Sequence, residues 1–227
     1  MRANARYEGD YLLGTSIAVS GDAVLVGGFR SVPGTANEAS TRLFRRQAGV
    51  WTAQAAPLPS EIGARPLAAA VGLSGDVAVL GLPLFDLPPN RHRGLGLIFE
   101  SGAAGWTQTH AVVGRADWQG TRFGYAVDLD DGVALIGGPG YPSGSLQPPQ
   151  SRPGGAYFYL RDSRGIWLHE QTIAPVGSQG GDGFGAAVAL SGDTALVAAY
   201  QPSPLQTTQG VYVFSRHAGR WQQEGLL

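Results

Sequence analysis

The sequence predicts an all-β protein, a β-propeller built from four repeats of four antiparallel strands. Three observations predict it: one motif recurs four times at a spacing of 54 to 61 residues, each copy carries a Gly and Asp pair between two apolar runs, and each copy ends in a segment led by Trp. Repeats of this length that are rich in strand-forming residues are typical of propellers. The copies begin near Leu13-Gly14, Leu67-Ala68, Phe123-Gly124 and Phe184-Gly185.

The Gly and Asp pairs predict four β-hairpins. A two-residue hairpin needs a positive φ at one or both central positions, and Gly and Asp tolerate it. Asp131-Gly132 favours a type I′ turn, whereas the reversed order in the other three copies favours type II′. The pairs are Gly21-Asp22, Gly75-Asp76, Asp131-Gly132 and Gly192-Asp193.

The strands follow from the alternation around these turns. Before each turn, larger apolar residues alternate with Ala, Gly or Asp, which predicts a crowded inner strand. A second apolar strand follows the turn, and a third ends in a residue that stands seven positions before the Trp of the repeat. These last residues of the third strands are Phe44, Phe99, Leu160 and Phe214. The fourth strands are predicted to begin at Trp51, Trp106, Trp167 and Trp221. They are predicted to end at Leu58, Val113, Ile173 and Leu227. The repeats occupy residues 10–58, 63–113, 119–173 and 180–227 of a single domain, 1–227.

Composition narrows the function classes. The chain has 227 residues, no Cys and a net charge of −1, which argues against disulfides, thiolate metal sites and binding to nucleic acid or anionic membranes. No apolar run approaches the roughly 20 residues of a membrane span. Residues 1–6 carry no apolar signal segment, so we expect either a cytoplasmic protein or an export signal outside this sequence.

The fourth copy begins with Phe184-Gly185 and continues through Val-Ala-Leu-Ser-Gly-Asp, Ala-Leu-Val and Val-Tyr-Val-Phe to Trp221. This pattern resembles the bacterial FG-GAP repeat, which is related to the blades of the integrin α-subunit propeller. The resemblance covers about residues 10–227. It implies a propeller fold and an extracellular or cell-surface location, and it leaves the activity open because propellers host many functions. The sequence is compatible with a four-bladed ring and with part of a larger propeller.

Binding is expected on one face of the propeller. In such blades the connections between strands 2 and 3, and between strand 4 and the next strand 1, lie on the same face, and here they differ most among the repeats. Variable loops on a repeated scaffold are where recognition usually occurs. We expect a protein or carbohydrate ligand there; the candidate residues are Trp118, Arg91, His92, Arg93, Tyr141 and Tyr200.

The third hairpin is the weak candidate for a Ca²⁺ site. Asp128, Asp130 and Asp131 supply carboxylates, and the resemblance implies Ca²⁺ because integrin blades carry it in this hairpin. The other hairpins have a single acid, and Ca²⁺ prefers six to eight oxygen ligands. In a strand, adjacent side chains alternate faces, so Asp130 is expected to point away from its neighbours. We therefore expect no metal and no other cofactor.

The sequence shows no catalytic set. Cys and Lys are absent, and no Gly-x-Ser-x-Gly segment is present. The predicted function is therefore a non-enzymatic interaction module. The alternative is a structural or self-assembling array of a secreted or surface protein. A glycan-cleaving propeller that uses acids such as Asp86 and Asp117 is a distant third interpretation.

Overall fold

The computed structural model describes residues 12–30, 38–58, 70–85, 93–114, 121–140, 154–174, 181–200 and 210–227. In these ranges, sixteen strands form four antiparallel sheets of four strands, each paired in chain order, and no helix is present. The sheets, called blades 1 to 4, confirm the predicted all-β propeller architecture. No helix in the described ranges is long and apolar enough to span a membrane.

The strand bounds follow the repeats closely. Blade 1 contains β1 (Leu12–Ser20), β2 (Ala23–Arg30), β3 (Glu38–Gln47) and β4 (Val50–Gln54). Blade 2 contains β5 (Ala70–Ser74), β6 (Val77–Leu82), β7 (Leu95–Gly102) and β8 (Gly105–Val112). Blade 3 contains β9 (Ala126–Asp130), β10 (Val133–Gly138), β11 (Gly155–Arg161) and β12 (Trp167–Ile173). Blade 4 contains β13 (Ala187–Ser191), β14 (Thr194–Ala199), β15 (Gly210–His217) and β16 (Arg220–Leu226). Contrary to prediction, β4 ends at Gln54, four residues before Leu58.

The hairpins have the predicted conformations. Asp131 and Gly132 both have positive φ, 37° and 76°, as a type I′ turn requires. In the three reversed copies only the first central residue, Gly21, Gly75 or Gly192, has a positive φ, as type II′ requires.

Neighbouring blades pack through alternate sets of side chains: one set of a blade points towards the next blade and the other towards the preceding one. We call these sides the forward face and the rear face. On β10, Val133 and Leu135 pack forward into the joint with blade 4, whereas Ala134 and Ile136 pack rearward against blade 2. This is the two-residue period of a strand that is buried on both sides. Three apolar cores therefore hold four sheets in series.

The Phe-Gly elements close the joints before blades 3 and 4. Phe123 and Phe184 are fully buried, and each makes edge-on contacts with two aromatic rings of its own blade. The Gly after each Phe presents its carbonyl oxygen to a Gly of the preceding blade, where a Cβ on Gly81 or Gly137 would lie 2.1 Å away. Only Gly allows this approach of two backbones.

The four sheets do not close into a ring. The inner strands pack in the order β1, β5, β9 and β13, whereas within the described residues β13 does not pack against β1 in this way. The rear face of blade 1 is accordingly open: Ile17 and Val19 are 62% and 65% exposed. The blades form an arc with two free ends.

Candidate functional site

The hairpin face is bound together by a repeated hydrogen bond between blades. In blades 1 to 3, the residue before the hairpin accepts a hydrogen bond from a backbone N–H of the next hairpin. Ser20 Oγ accepts from Gly75 at 2.9 Å, and Asp130 Oδ2 accepts from Gly192 at 2.7 Å. Ser74 Oγ lies 3.4 Å from the Asp131 nitrogen in the same relation. Ser20, Ser74 and Asp130 thus each connect their blade to the next one.

The acidic residues of the third repeat have the same structural use. Asp128 Oδ2 accepts from the Leu190 N–H at 2.7 Å, and its Oδ1 accepts from the Leu129 N–H at 2.8 Å. Asp128 and Asp130 therefore both bind blade 4. The expectation that Asp130 points away from its neighbours was wrong with respect to Asp128, because residues two apart on a strand share a face.

This arrangement uses the carboxylates that a Ca²⁺ ion would need. Burial raises the pKa of Asp128, while its backbone hydrogen bonds act in the opposite direction. Among the described residues, no three His, Asp or Glu side chains are grouped to hold a metal ion. Asp131 is exposed at the turn, and no hydrogen bond of its carboxylate to blade 4 occurs among the described residues.

At the opposite ends of the strands, described residues that flank the two kinds of variable connection lie close together. Gly94, at the end of the connection between β6 and β7, forms a bridge with Phe123, which precedes β9. Arg93 Nη2 also donates to the carbonyl of Gly114, just after β8, at 3.1 Å. Connections of both kinds therefore meet at one face, which we call the loop face.

A cavity of about 480 Å³ opens among the inner strands at the loop face. Residues of all four inner strands line it, including Ile17, Val71, Val127 and Val188. Thr15, Ser16 and Tyr125 add hydroxyl groups, and no charged residue occurs among its described lining residues. Its volume lies within the range of small-ligand sites, about 300–1,000 Å³. The arrangement suits an uncharged group that carries both apolar and hydrogen-bonding surface.

Two candidate binding residues lie in the described ranges. Arg93 is half-buried; besides its bond to Gly114, its carbonyl accepts from Thr121 Oγ1 and the Phe123 N–H. These contacts give Arg93 a packing role. Tyr200 is 53% exposed at the end of β14, next to Gly183, and remains available to a ligand. Trp118, Arg91, His92 and Tyr141 lie outside the described residues, as do Asp86 and Asp117.

Tyr125 is a cavity residue that the sequence reasoning missed. It follows Phe123-Gly124, is 40% exposed and lines the cavity. The corresponding residues in blades 1 and 4 are the smaller Thr15 and Ala186. This departure from a repeated small residue was the available signal. It is detectable only when the repeats are aligned at the Gly.

Asp182 is a buried carboxyl group behind the loop face. Its Oδ1 accepts from the Gly154 N–H at 3.2 Å and the Phe184 N–H at 3.1 Å. Its Oδ2 is buried, with no hydrogen-bond partner in the described structure. Burial raises the pKa of Asp182 despite the two backbone donors. Asp182 therefore positions the Phe-Gly element of blade 4 at an electrostatic cost.

Comparison with known proteins agrees with this geometry. A scan against protein-family models matches the FG-GAP repeat at residues 167–214, from the start of β12 through most of β15. A search of curated proteins found no match. The matched segment contains the Phe184-Gly185 element, the Gly192-Asp193 hairpin and the apolar strands between which they lie. The chain therefore carries an FG-GAP repeat at residues 167–214, and all four of its blades share the strand order of that repeat.

Proposed function

We propose that the protein is a non-catalytic binding module that recognises a protein or carbohydrate ligand at the loop face. The cavity at the centre of this face is the observation that carries the proposal, since all four inner strands contribute to it. FG-GAP repeats are typically non-catalytic and typical of extracellular or surface proteins, which supports a binding role outside the cell.

The lining favours an uncharged contact group. Tyr125 lines the cavity, and Tyr200 is exposed directly after β14. Both present aromatic surface with a hydroxyl group, a combination that suits a sugar ring or an apolar side chain of a protein partner. Arg93 adds little charge to the surface, because its guanidinium is half-buried and bonded to Gly114.

A glycan array and an affinity capture of proteins distinguish the two ligand classes. With the ligand in hand, Tyr125→Ala and Tyr200→Ala should each weaken binding by about tenfold or more, as loss of an aromatic anchor does. Trp118→Ala and Arg91→Ala test two of the remaining candidates. Asp193→Asn, on the exposed hairpin face, is the control and should bind normally. Loss of binding in Asp193→Asn with normal binding in the other four variants would refute the proposal.

A further inference from the structure

Blades 1 and 4 each have one face that no other described blade covers. On the rear face of blade 1, Val19 is 65% exposed and Trp51 is 45% exposed. At the same position in blade 4, Trp221 is 3% exposed because it packs on blade 3. On the forward face of blade 4, Leu196 and Val213 are only half-buried, whereas their counterparts Leu135 and Phe158 in blade 3 are fully buried.

The two open faces are the two halves of one joint. Every internal joint joins the forward face of one blade to the rear face of the next, and blade 4 has the free forward face while blade 1 has the free rear face. We infer that a second copy of the chain occupies them, so that blade 4 of one copy packs on blade 1 of the other. Two such joints would close two arcs into a ring of eight blades, within the range of four to eight that propellers typically have.

The hydrogen-bonding groups of the open faces match as well. Within the chain, Ser20, Ser74 and Asp130 each bind the following hairpin. Ser191 holds the corresponding position in blade 4, and within the described residues its hydroxyl has no such hairpin beside it. At the new joint, the Ser191 hydroxyl would accept a hydrogen bond from the backbone N–H of Gly21 of the second copy.

Charge completes the match. Arg161 of blade 3 pairs with Glu100 of blade 2 at 2.7 Å, and Arg216 of blade 4 pairs with Glu170 of blade 3 at 2.5 Å. Arg46 stands at the position of these two arginines in blade 1, because all three pair with the Trp of their own repeat. Within the chain Arg46 pairs with Asp22 at 2.6 Å and Glu224 with His217 at 3.2 Å, and all four side chains are exposed. At the new joint Arg46 would instead pair with Glu224, which follows Trp221 by three residues, as Glu170 follows Trp167.

The forward face of blade 4 also selects the blade that it accepts. Ala198 stands where Gly81 and Gly137 admit the carbonyl of a Phe-Gly element, and its Cβ would block that carbonyl. Blade 1 brings no such element to the joint, because Leu13 pairs with Gly28 of its own blade as part of β1. Blade 1 therefore fits Ala198, whereas blades 3 and 4 do not.

Packing of blade 4 on blade 1 of the same chain does not account for the two exposed faces. A ring of four blades needs a quarter turn at every joint, which would bring β13 against β1. The three joints present here leave those strands apart within the described residues. Blade 4 therefore does not cover the rear face of blade 1 within one chain, where Ile17 and Val19 stay exposed. A second copy supplies a face of the required chemistry.

Sedimentation velocity of the full chain at micromolar concentration tests the inference. The expected mass is twice 23.6 kDa. Val19→Glu places a charge in the joint and should raise the dimer dissociation constant by at least about tenfold. Leu168→Glu changes an equally accessible apolar residue of β12, 52% exposed and away from both faces, and should leave the dimer intact.

A charge exchange provides the second test. Arg46→Glu and Glu224→Arg should each weaken the dimer, and the double variant should recover much of the loss. A monomer at these concentrations overturns the inference. So does a dimer that Val19→Glu does not weaken, or an assembly that keeps growing beyond two chains. Because Val19 is exposed in the single chain, circular dichroism should show that Val19→Glu folds normally.

Discussion

Trp221 of blade 4 stacks face to face on Phe158 of blade 3, with ring centroids 4.2 Å apart and planes at 10°. The Trp backbone is fixed at the same joint, since its N–H donates to Gln171 Oε1 and its carbonyl accepts from Gln171 Nε2. Its indole Nε1 lies 3.3 Å from Glu170 Oε2. One residue therefore combines the apolar, polar and backbone contacts of the joint.

Trp221→Ala should lower the free energy of unfolding by about 3–5 kcal/mol, the usual cost of removing a buried aromatic side chain. Trp51→Ala is the matched variant, because Trp51 holds the same repeat position and is 45% exposed. It should cost much less. Urea unfolding below micromolar concentration measures both without a contribution from association. Equal losses for the two variants would mean that Trp51 is buried in the single chain.

Gly137→Ala should destabilise the joint between blades 3 and 4. The new Cβ would lie 2.1 Å from the Gly185 carbonyl oxygen, so the two backbones must separate. We expect a loss of about 1–3 kcal/mol, as for other overpacked sites. Gly102→Ala is the control, because no atom lies within 4 Å of a Cβ there. The melting temperature should fall for Gly137→Ala alone. An unchanged melting temperature for Gly137→Ala would show that the Phe-Gly element can shift at little energetic cost.

The sequence predicted the features that are encoded locally. The four hairpins, their turn types and the strand order follow from Gly and Asp positions and from residue alternation, which short segments determine. The roles of Asp128 and Asp130 could not be predicted in this way. They depend on which strand face meets the next blade, and that is a property of the joint. Tyr125 was missed for the same reason, since its exposure arises from four strands that meet around the cavity.

Calcium should have no effect on thermal stability. Asp128 and Asp130 already accept backbone hydrogen bonds at 2.7 Å from blade 4, so an ion would have to replace them. A ligand raises the melting temperature only by binding the folded state. Melting curves with excess Ca²⁺ and with EDTA should therefore coincide. A rise of several degrees with Ca²⁺, abolished by Asp128→Ala, would reveal a metal site in the third repeat.

Asp128→Ala by itself should destabilise the protein without any metal. It removes the acceptor of the Leu190 N–H, and an unsatisfied buried donor costs about 1–3 kcal/mol. Asp131→Asn is the control: Asp131 is exposed with a φ of 37°, a conformation that Asn tolerates. Urea unfolding should separate the two variants clearly. A similar small change in both would show that the Asp128 contact contributes little.

The free energy of unfolding should depend on pH in part through Asp182. Burial raises its pKa above the usual value of 3.8, so the folded state favours the protonated form. Its contribution to stability is therefore complete below the pKa of the unfolded chain and is lost as the pH rises through the folded pKa. At neutral pH the buried carboxylate destabilises the protein.

Asp182→Asn should therefore raise the melting temperature at neutral pH, because the amide oxygen still accepts from Gly154 and Phe184 while the buried charge is gone. Each kcal/mol corresponds to about 2–4 °C in a chain of this size. The advantage over the unmodified protein should shrink as the pH falls from neutral through the raised pKa of Asp182, where the carboxylate takes up its proton. Asp193→Asn, at an exposed hairpin position, corrects for the general effect of removing one charge. An advantage that is independent of pH, or a variant less stable at neutral pH, would show that Asp182 is held as a stabilising carboxylate.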